Sequence, residues 1–148
     1  MIRVHGTSVA LGGDGILLRG PSGSGKSDLA LRLIDEGGRL VADDQTELCL
    51  SGDDVSMKAP ATIAGRLEVR GIGILRVSSV AAAPLRLVVD LVASDAVDRL
   101  PEPATCDYLE RRFPRIQLAP FEASAPAKLR LALCALGPPA PRTILVTS

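Results

Sequence analysis

Residues 20–27 read GPSGSGKS, a GxxxxGKS phosphate loop between an apolar run at 15–18 and a helix-like stretch from 27 onward. A triphosphate presents many anionic oxygens at short range and calls for many short donors. Gly20, Gly23 and Gly25 let backbone N–H groups curl around such an anion without Cβ interference. Pro21, Ser22 and Ser24 complete the loop, Lys26 adds a positive charge, and the Ser27 hydroxyl suits magnesium. Asp28 follows at once, in a helix whose first N–H groups and dipole also favour an anion. The chemistry so specified is nucleotide or phosphate binding.

Phosphoryl transfer asks a protein for positioning, magnesium and a group that takes the acceptor's proton. Two strand-end acids compete for that last part: LVADD at 40–44 and LVVDL at 87–91, the latter ending on Asp90. Asp43 and Asp44 are preferred. Adjacent carboxylates repel each other and want a cation or donor nearby, which associates them with magnesium and proton transfer. Asp90 fits a loose pattern that a strand-end turn residue would also satisfy.

The elements that must hold these residues read as strands around one clear helix. Apolar patterning predicts a strand over 4–11, a turn at Gly12, Gly13 and Asp14, and a second strand over 15–18, a hairpin from whose end the loop hangs. Leu29, Ala30, Leu33 and Ile34 recur at helical spacing, and Gly37 and Gly38 stop the helix. A short strand is expected over 39–42; if it lies beside the loop strand, its carboxyl end opens on the phosphate crevice. Further strands are expected over 46–50, 56–58, 67–69, 73–77 and 85–92. Residues 125–136 favour a helix, with Pro126 near its start, and GPPAP at 137–141 ends it.

Composition sets bounds. A chain of 148 residues fits one domain that buries roughly 70% of its unfolded surface. Zero formal net charge removes any general electrostatic attraction to nucleic acid or membrane. Tyr108, Phe113 and Phe121 are the only aromatic residues, so no stacking platform and no adenine clamp is visible in the sequence. Cys49, Cys106 and Cys134 lack CxxC spacing and read as reduced thiols, without a zinc site. No stretch approaches the ~20 apolar residues of a membrane span, and the cytoplasm is the expected location.

The ordered set His5-Gly6, GPSGSGKSD, GxRLVADD and LEVRGIGIL at 67–75 resembles the catalytic domain of HPr kinase/phosphorylase, which phosphorylates a serine of the phosphocarrier HPr. LVADD at this distance from the loop, followed by LEVRGIGI, is far more specific than the loop alone. The resemblance implies an α/β fold, a P-loop domain with a mixed, strand-rich sheet related to phosphoenolpyruvate carboxykinase. It also implies a single catalytic domain over 1–148 without the N-terminal regulatory domain of longer forms. Expected ligands are ATP and Mg2+, the expected partner is an HPr-type carrier, and self-association is expected because long family members are hexamers.

Carried over by position, the resemblance implies that Lys26 holds phosphate and that Ser27, Asp44 and Glu68 serve magnesium. Asp44 is the expected proton acceptor from the substrate serine, and a proton donor in phosphorolytic reversal; Asp43 supports it. Arg70 lies in the same segment as Glu68. In a strand these two alternate residues share a face, where an ordinary cross-strand ion pair would have the same pattern. His5 matches the active-site histidine, and Arg99, in DRLP, matches a catalytic arginine in a less similar context.

Two departures stand out. Asp28 replaces a glutamate that commonly follows GKS. Residues 115–127, RIQLAPFEASAPA, lack the arginines of the RPGR-type segment linked to dephosphorylation, which puts the phosphorylase activity in question. Two other classes stay open: a small-molecule phosphotransferase, for which no arginine-bearing lid is seen, and a regulatory nucleotide-binding module, which has no need of the retained acids.

Overall fold

The computed structural model describes residues 1–137. Its strands are β1 (Ile2–His5), β2 (Thr7–Leu11), β3 (Asp14–Arg19), β4 (Arg39–Ala42), β5 (Gln45–Ser51), β6 (Asp54–Lys58), β7 (Arg66–Val69), β8 (Gly73–Arg76), β9 (Ala83–Leu91), β10 (Ala104–Tyr108) and β11 (Arg111–Leu118). Helix α1 (Lys26–Asp35) follows β3, and α2 (Ala125–Leu136) follows β11.

Among the described residues, nine strands form one mixed sheet in the order β1-β5-β6-β9-β3-β2-β4, with β11 also on β9 and β10 on β11. The loop strand β3 runs parallel to β9 and antiparallel to β2. Strands β7 and β8 make a separate hairpin. This is the mixed, strand-rich α/β arrangement expected.

Strand alternation divides the core between the two faces of the sheet. Ile16, Leu18, Leu87 and Val89 point to one face and pack with Leu29, Leu33, Leu129 and Leu133 of the helices. Leu17, Val88, Leu48, Met57 and Phe113 fill the other face. The parity of β9 changes near its start, where Gly15 pairs with Leu85 but Ile16 pairs with Leu87. Arg86 is the extra residue of that bulge, and Leu85 and Leu87 consequently join different cores.

Three expectations change. The strand over 4–11 is broken at Gly6: β1 pairs with β5, whereas β2 pairs with β3 and β4. A Cβ at Gly6 would lie 2.8 Å from Leu17 Cδ1 and 2.9 Å from the Leu18 carbonyl oxygen, so only glycine fits where the chain changes partner. The strand over 39–42 is present but does not adjoin the loop strand, because β2 lies between them. Strands β10 and β11 are additional; β10 alternates half-buried with exposed residues, and β11 contains Pro114, so neither has an apolar signature. Pro114 is accommodated because pairing of β11 with β9 starts only at Arg115.

Helix α1 ends as expected. Gly37, at φ 106°, donates to the Ile34 carbonyl and Gly38 to that of Leu33, the paired bonds of a Schellman stop. Helix α2 has Pro126 in its first turn, and Gly137 donates to the Cys134 carbonyl at its end. The rest of the GPPAP stop, from Pro138 on, lies outside the described residues.

Candidate active site

The loop hangs between the end of β3 and the start of α1. Gly23 and Gly25 adopt φ of 83° and 101°, conformations that side-chain-bearing residues rarely take. Gly20 is held close: a Cβ there would sit 2.5 Å from Ser24 Oγ. Lys26 is nearly buried, and its ammonium donates to the carbonyl oxygens of Gly20 at 2.6 Å and Pro21 at 3.0 Å. The cation therefore sits within the curl of the loop.

Asp43 and Asp44 follow β4 and divide their contacts. The Asp43 carboxylate is almost buried and accepts from Ser27 Oγ at 2.8 Å, Thr7 Oγ1 at 3.2 Å and the Glu68 backbone N–H at 3.1 Å. It thereby ties the loop, β2 and β7 together. Asp44 points the other way, with Oδ1 2.8 Å from His5 Nε2 and its side chain largely open to solvent. An ionised carboxylate only accepts, so His5 Nε2 carries the proton in this pair.

The backbone explains the division. Asp44 has φ 67°, and the Gln45 N–H reaches back to the Asp43 carbonyl at 2.7 Å, closing a tight three-residue turn around Asp44. Neighbouring supports hold this left-handed residue: its N–H donates to Thr7 Oγ1 at 3.1 Å, and its carbonyl accepts from the Gly6 N–H at 2.8 Å. Strain held by surrounding structure at a reactive group is a known mark of functional sites.

A cleft of about 530 Å3 lies over these groups, lined by Lys26, Ser27, Asp43, Asp44, Glu68 and Arg70 along one side. Glu68 stands on β7, and Arg70 occupies the turn just beyond it rather than the strand itself. Both are exposed. Buried and exposed carboxylates thus meet the glycine-rich loop.

The profile of the HPr Serine kinase C-terminal domain family matches residues 1–118. This chain belongs to that family. An HPr kinase/phosphorylase of Exiguobacterium sp. is 45% identical over 84 residues, which are 56% of this chain and 27% of that protein. One from Caldanaerobacter subterraneus is 48% identical over 79 residues, 53% and 26% of the two chains. The matched segments thus span about a quarter of those relatives. The structure of the Hpr(Ser) kinase/phosphatase from Coxiella burnetii shares the fold, with a TM-score of 0.81 over 92% of this chain and 96% of that one, at 24% identity.

In this HPr kinase-type domain the expected site residues are gathered unevenly. Lys26, Ser27, Asp43, Asp44, Glu68 and Arg70 line one cleft, and His5 reaches it through Asp44. The carboxylate on Ser27 is Asp43, whereas the sequence grouped Ser27 with Asp44 and Glu68. Arg99 is exposed between β9 and β10 and is not among the lining residues of the cleft. Asp28 lines the cleft but is paired with Arg32 one turn on, at 3.0 Å.

Asp90, the rival acid, is held by arginines. It accepts from Arg19 at 2.7 and 3.0 Å and from Arg115 at 3.0 Å. Burial pushes its carboxyl up, but the bonds from Arg19 and Arg115 outweigh this and hold it below the ordinary carboxylate range. Arg19 in turn binds its proton more tightly through Asp90, and it also donates to the Tyr108 hydroxyl. Burial raises the nearby Cys106 thiol, which stays protonated at neutral pH.

Two participants were not singled out from the sequence. Thr7 supports both aspartates, and the only signal for it was a hydroxyl two residues after His5. Phe121 was read in the sequence only as one of three scattered aromatic residues and as part of the segment that departs from RPGR, yet it lines the cleft beside Gly25.

Proposed function

We propose that this domain transfers the γ-phosphoryl group of ATP to a serine of an HPr-type carrier protein. The observation that carries the reading is the division of labour between adjacent aspartates, Asp43 bonded to the loop serine and Asp44 turned outward on a tight turn beside His5. One carboxylate faces the donor and the other the acceptor.

The residues present fit a magnesium nucleotide. Positive-φ glycines free the loop N–H groups, Lys26 lies within the loop, and the Ser27–Asp43 pair offers two hard oxygens. Mg2+ takes one or two protein oxygens and completes its shell from phosphates and water, a demand that the Ser27–Asp43 pair can meet. When bound, the ion neutralises charge on the β- and γ-phosphates. Glu68 lines the same cleft and is assigned a supporting role.

In the proposed reaction the carrier serine hydroxyl approaches the exposed Asp44 carboxylate, which takes its proton as Oγ bonds to the γ-phosphorus. The bond from that phosphorus to the β,γ-bridging oxygen breaks, and ADP leaves. Lys26 neutralises the transferring group, Arg70 lies where it can do the same, and His5 orients Asp44 through its Nε2–H. Phosphorolytic reversal would use the same groups with Asp44 as donor. Residues 119–122, Ala-Pro-Phe-Glu, carry no guanidinium, so reversal is expected to be slow. Self-association belongs to the same reading and is supported by Ile72, Ile74 and Leu75, which stand exposed on the β7–β8 hairpin.

The test mixes the protein with Mg2+, ATP and an HPr-type carrier, then reads intact mass and the modified residue. One phosphate on a carrier serine, absent with Asp44→Asn, is the expected result. Nucleotide binding without transfer to a folded carrier would overturn the proposal.

A further inference from the structure

The cleft has apolar lining that phosphoryl transfer does not use, Phe121 among it. Phe121 is 70% exposed, an unusual position for a large apolar ring. Its edge abuts the loop: a Cβ at Gly25 would lie 2.9 Å from Phe121 Cζ and 3.1 Å from Cε1. The turn that carries it is tied to α1, where Arg32 donates to the carbonyl oxygens of Pro120 and Glu122 and is itself held by Asp28. Lys128 of α2 also approaches the Glu122 carboxylate, at 3.5 Å.

We propose that Phe121 is the nucleobase platform of this site. The inference rests on the reading of residues 20–27 as a triphosphate loop. If Lys26 and Ser27 hold the β- and γ-phosphates and the acceptor enters over Asp44, the rest of the nucleotide must extend away from the acids. Phe121 lines the cleft beside Gly25 of the loop, on a turn tied to α1 through Arg32. A ring held against the loop by backbone-anchored contacts keeps an open π surface at little cost in side-chain ordering. Stacking on such a surface tolerates any base, so the platform strengthens nucleotide binding without demanding adenine.

The chain contains no tryptophan, so Phe121→Trp introduces a lone indole at the platform. Binding of Mg-ATP and of Mg-tripolyphosphate, which has no base, is measured by calorimetry for the natural protein and for Phe121→Ala and Phe121→Tyr. We expect Phe121→Ala to weaken Mg-ATP about tenfold, the scale of one base–aromatic stack, with tripolyphosphate unchanged and Phe121→Tyr close to the natural protein. The indole of Phe121→Trp should respond to Mg-ATP and not to tripolyphosphate. Equal losses for both ligands in Phe121→Ala would mean that the ring only supports the loop, and undiminished ATP binding would mean that it does neither; either result overturns the platform while leaving the triphosphate loop intact. Failure of the natural protein to bind either ligand would instead overturn the loop reading and the platform with it.

Discussion

β4 and β9 each carry an apolar run into an acid, LVADD and LVVDL, and both strands run in the direction of the loop strand. Their carboxylates nevertheless meet opposite surroundings. Asp90 faces its register partner Arg19 across the parallel pair β3–β9, with Arg115 arriving on β11, and two guanidinium groups saturate it. Asp43 and Asp44 meet hydroxyls, a backbone N–H and one histidine, with no arginine or lysine in an ion pair among the described residues. A carboxylate already neutralised by arginine is poorly placed to bind a cation or accept a proton. The comparison teaches that an acid after an apolar strand is only a candidate, and that the cross-strand partner decides its use.

The sharpest way to break this contrast is to neutralise each acid. Asp44→Asn should lower phosphoryl transfer to the carrier by roughly 10²- to 10⁴-fold, the usual share of a positioned general base, and leave Mg-ATP binding close to unchanged. Asp90→Asn should leave most of the transfer rate. Comparable losses in the two variants, measured at saturating ATP, would erase the distinction between the regions.

Asp43→Asn should act on donor binding, because it weakens the acceptor for Ser27 Oγ. Loss of a charge-assisted hydrogen bond predicts about 10- to 100-fold weaker Mg-dependent nucleotide binding, read by calorimetry with and without Mg2+. An effect of the same size in the absence of the metal would remove Asp43 from the cation site.

For Asp90 the expected effect is on stability. Asp90→Ala leaves two arginines without their acceptor, and because all three side chains keep partial contact with water the loss should be about 1–2 kcal/mol in chemical unfolding. The sign with pH follows from the lowered carboxyl. Asp90 binds its proton less readily in the folded chain than at its ordinary value of 3.8, so its contribution is present above that value and lost as pH falls through the lower, folded one. The natural protein should lose more stability than Asp90→Ala on acidification across that range. Parallel acid limbs for the two proteins would show that the arginine pairs contribute nothing.

Gly6→Ala should give a loss of about 1–3 kcal/mol, since the added methyl meets the Leu18 carbonyl as well as the Leu17 side chain. Reduced transfer in a still-folded Gly6→Ala protein would further show that the Gly6–Asp44 backbone bond matters to the acid's placement.

Much of this site was legible in the sequence because its signals are local. The loop motif, the periodic face of α1, its Gly37–Gly38 stop and the paired acids each depend on residues within one element or its adjoining turn. Their chemistry follows from residue type and short spacing. The division of Asp43 from Asp44 was not legible, since it depends on Thr7 at the start of β2, on Gly6 just before it, and on a positive φ at Asp44. The strand interposed between β3 and β4, the strands β10 and β11 with their mixed polarity, and the capture of Asp90 by Arg115 share that origin.

The amino-acid sequence by itself determined a phosphate loop, an α/β strand-rich domain of the HPr kinase type and a small set of acids able to serve it. Only the tertiary structure decided which acid touches Ser27, which faces outward beside His5, that Asp90 is neutralised, and that Phe121 overlies the loop. The reason is physical: backbone curvature and helix periodicity are set by neighbours in sequence, whereas a carboxylate's function is set by the charges and donors that strand order and register bring to it from far along the chain.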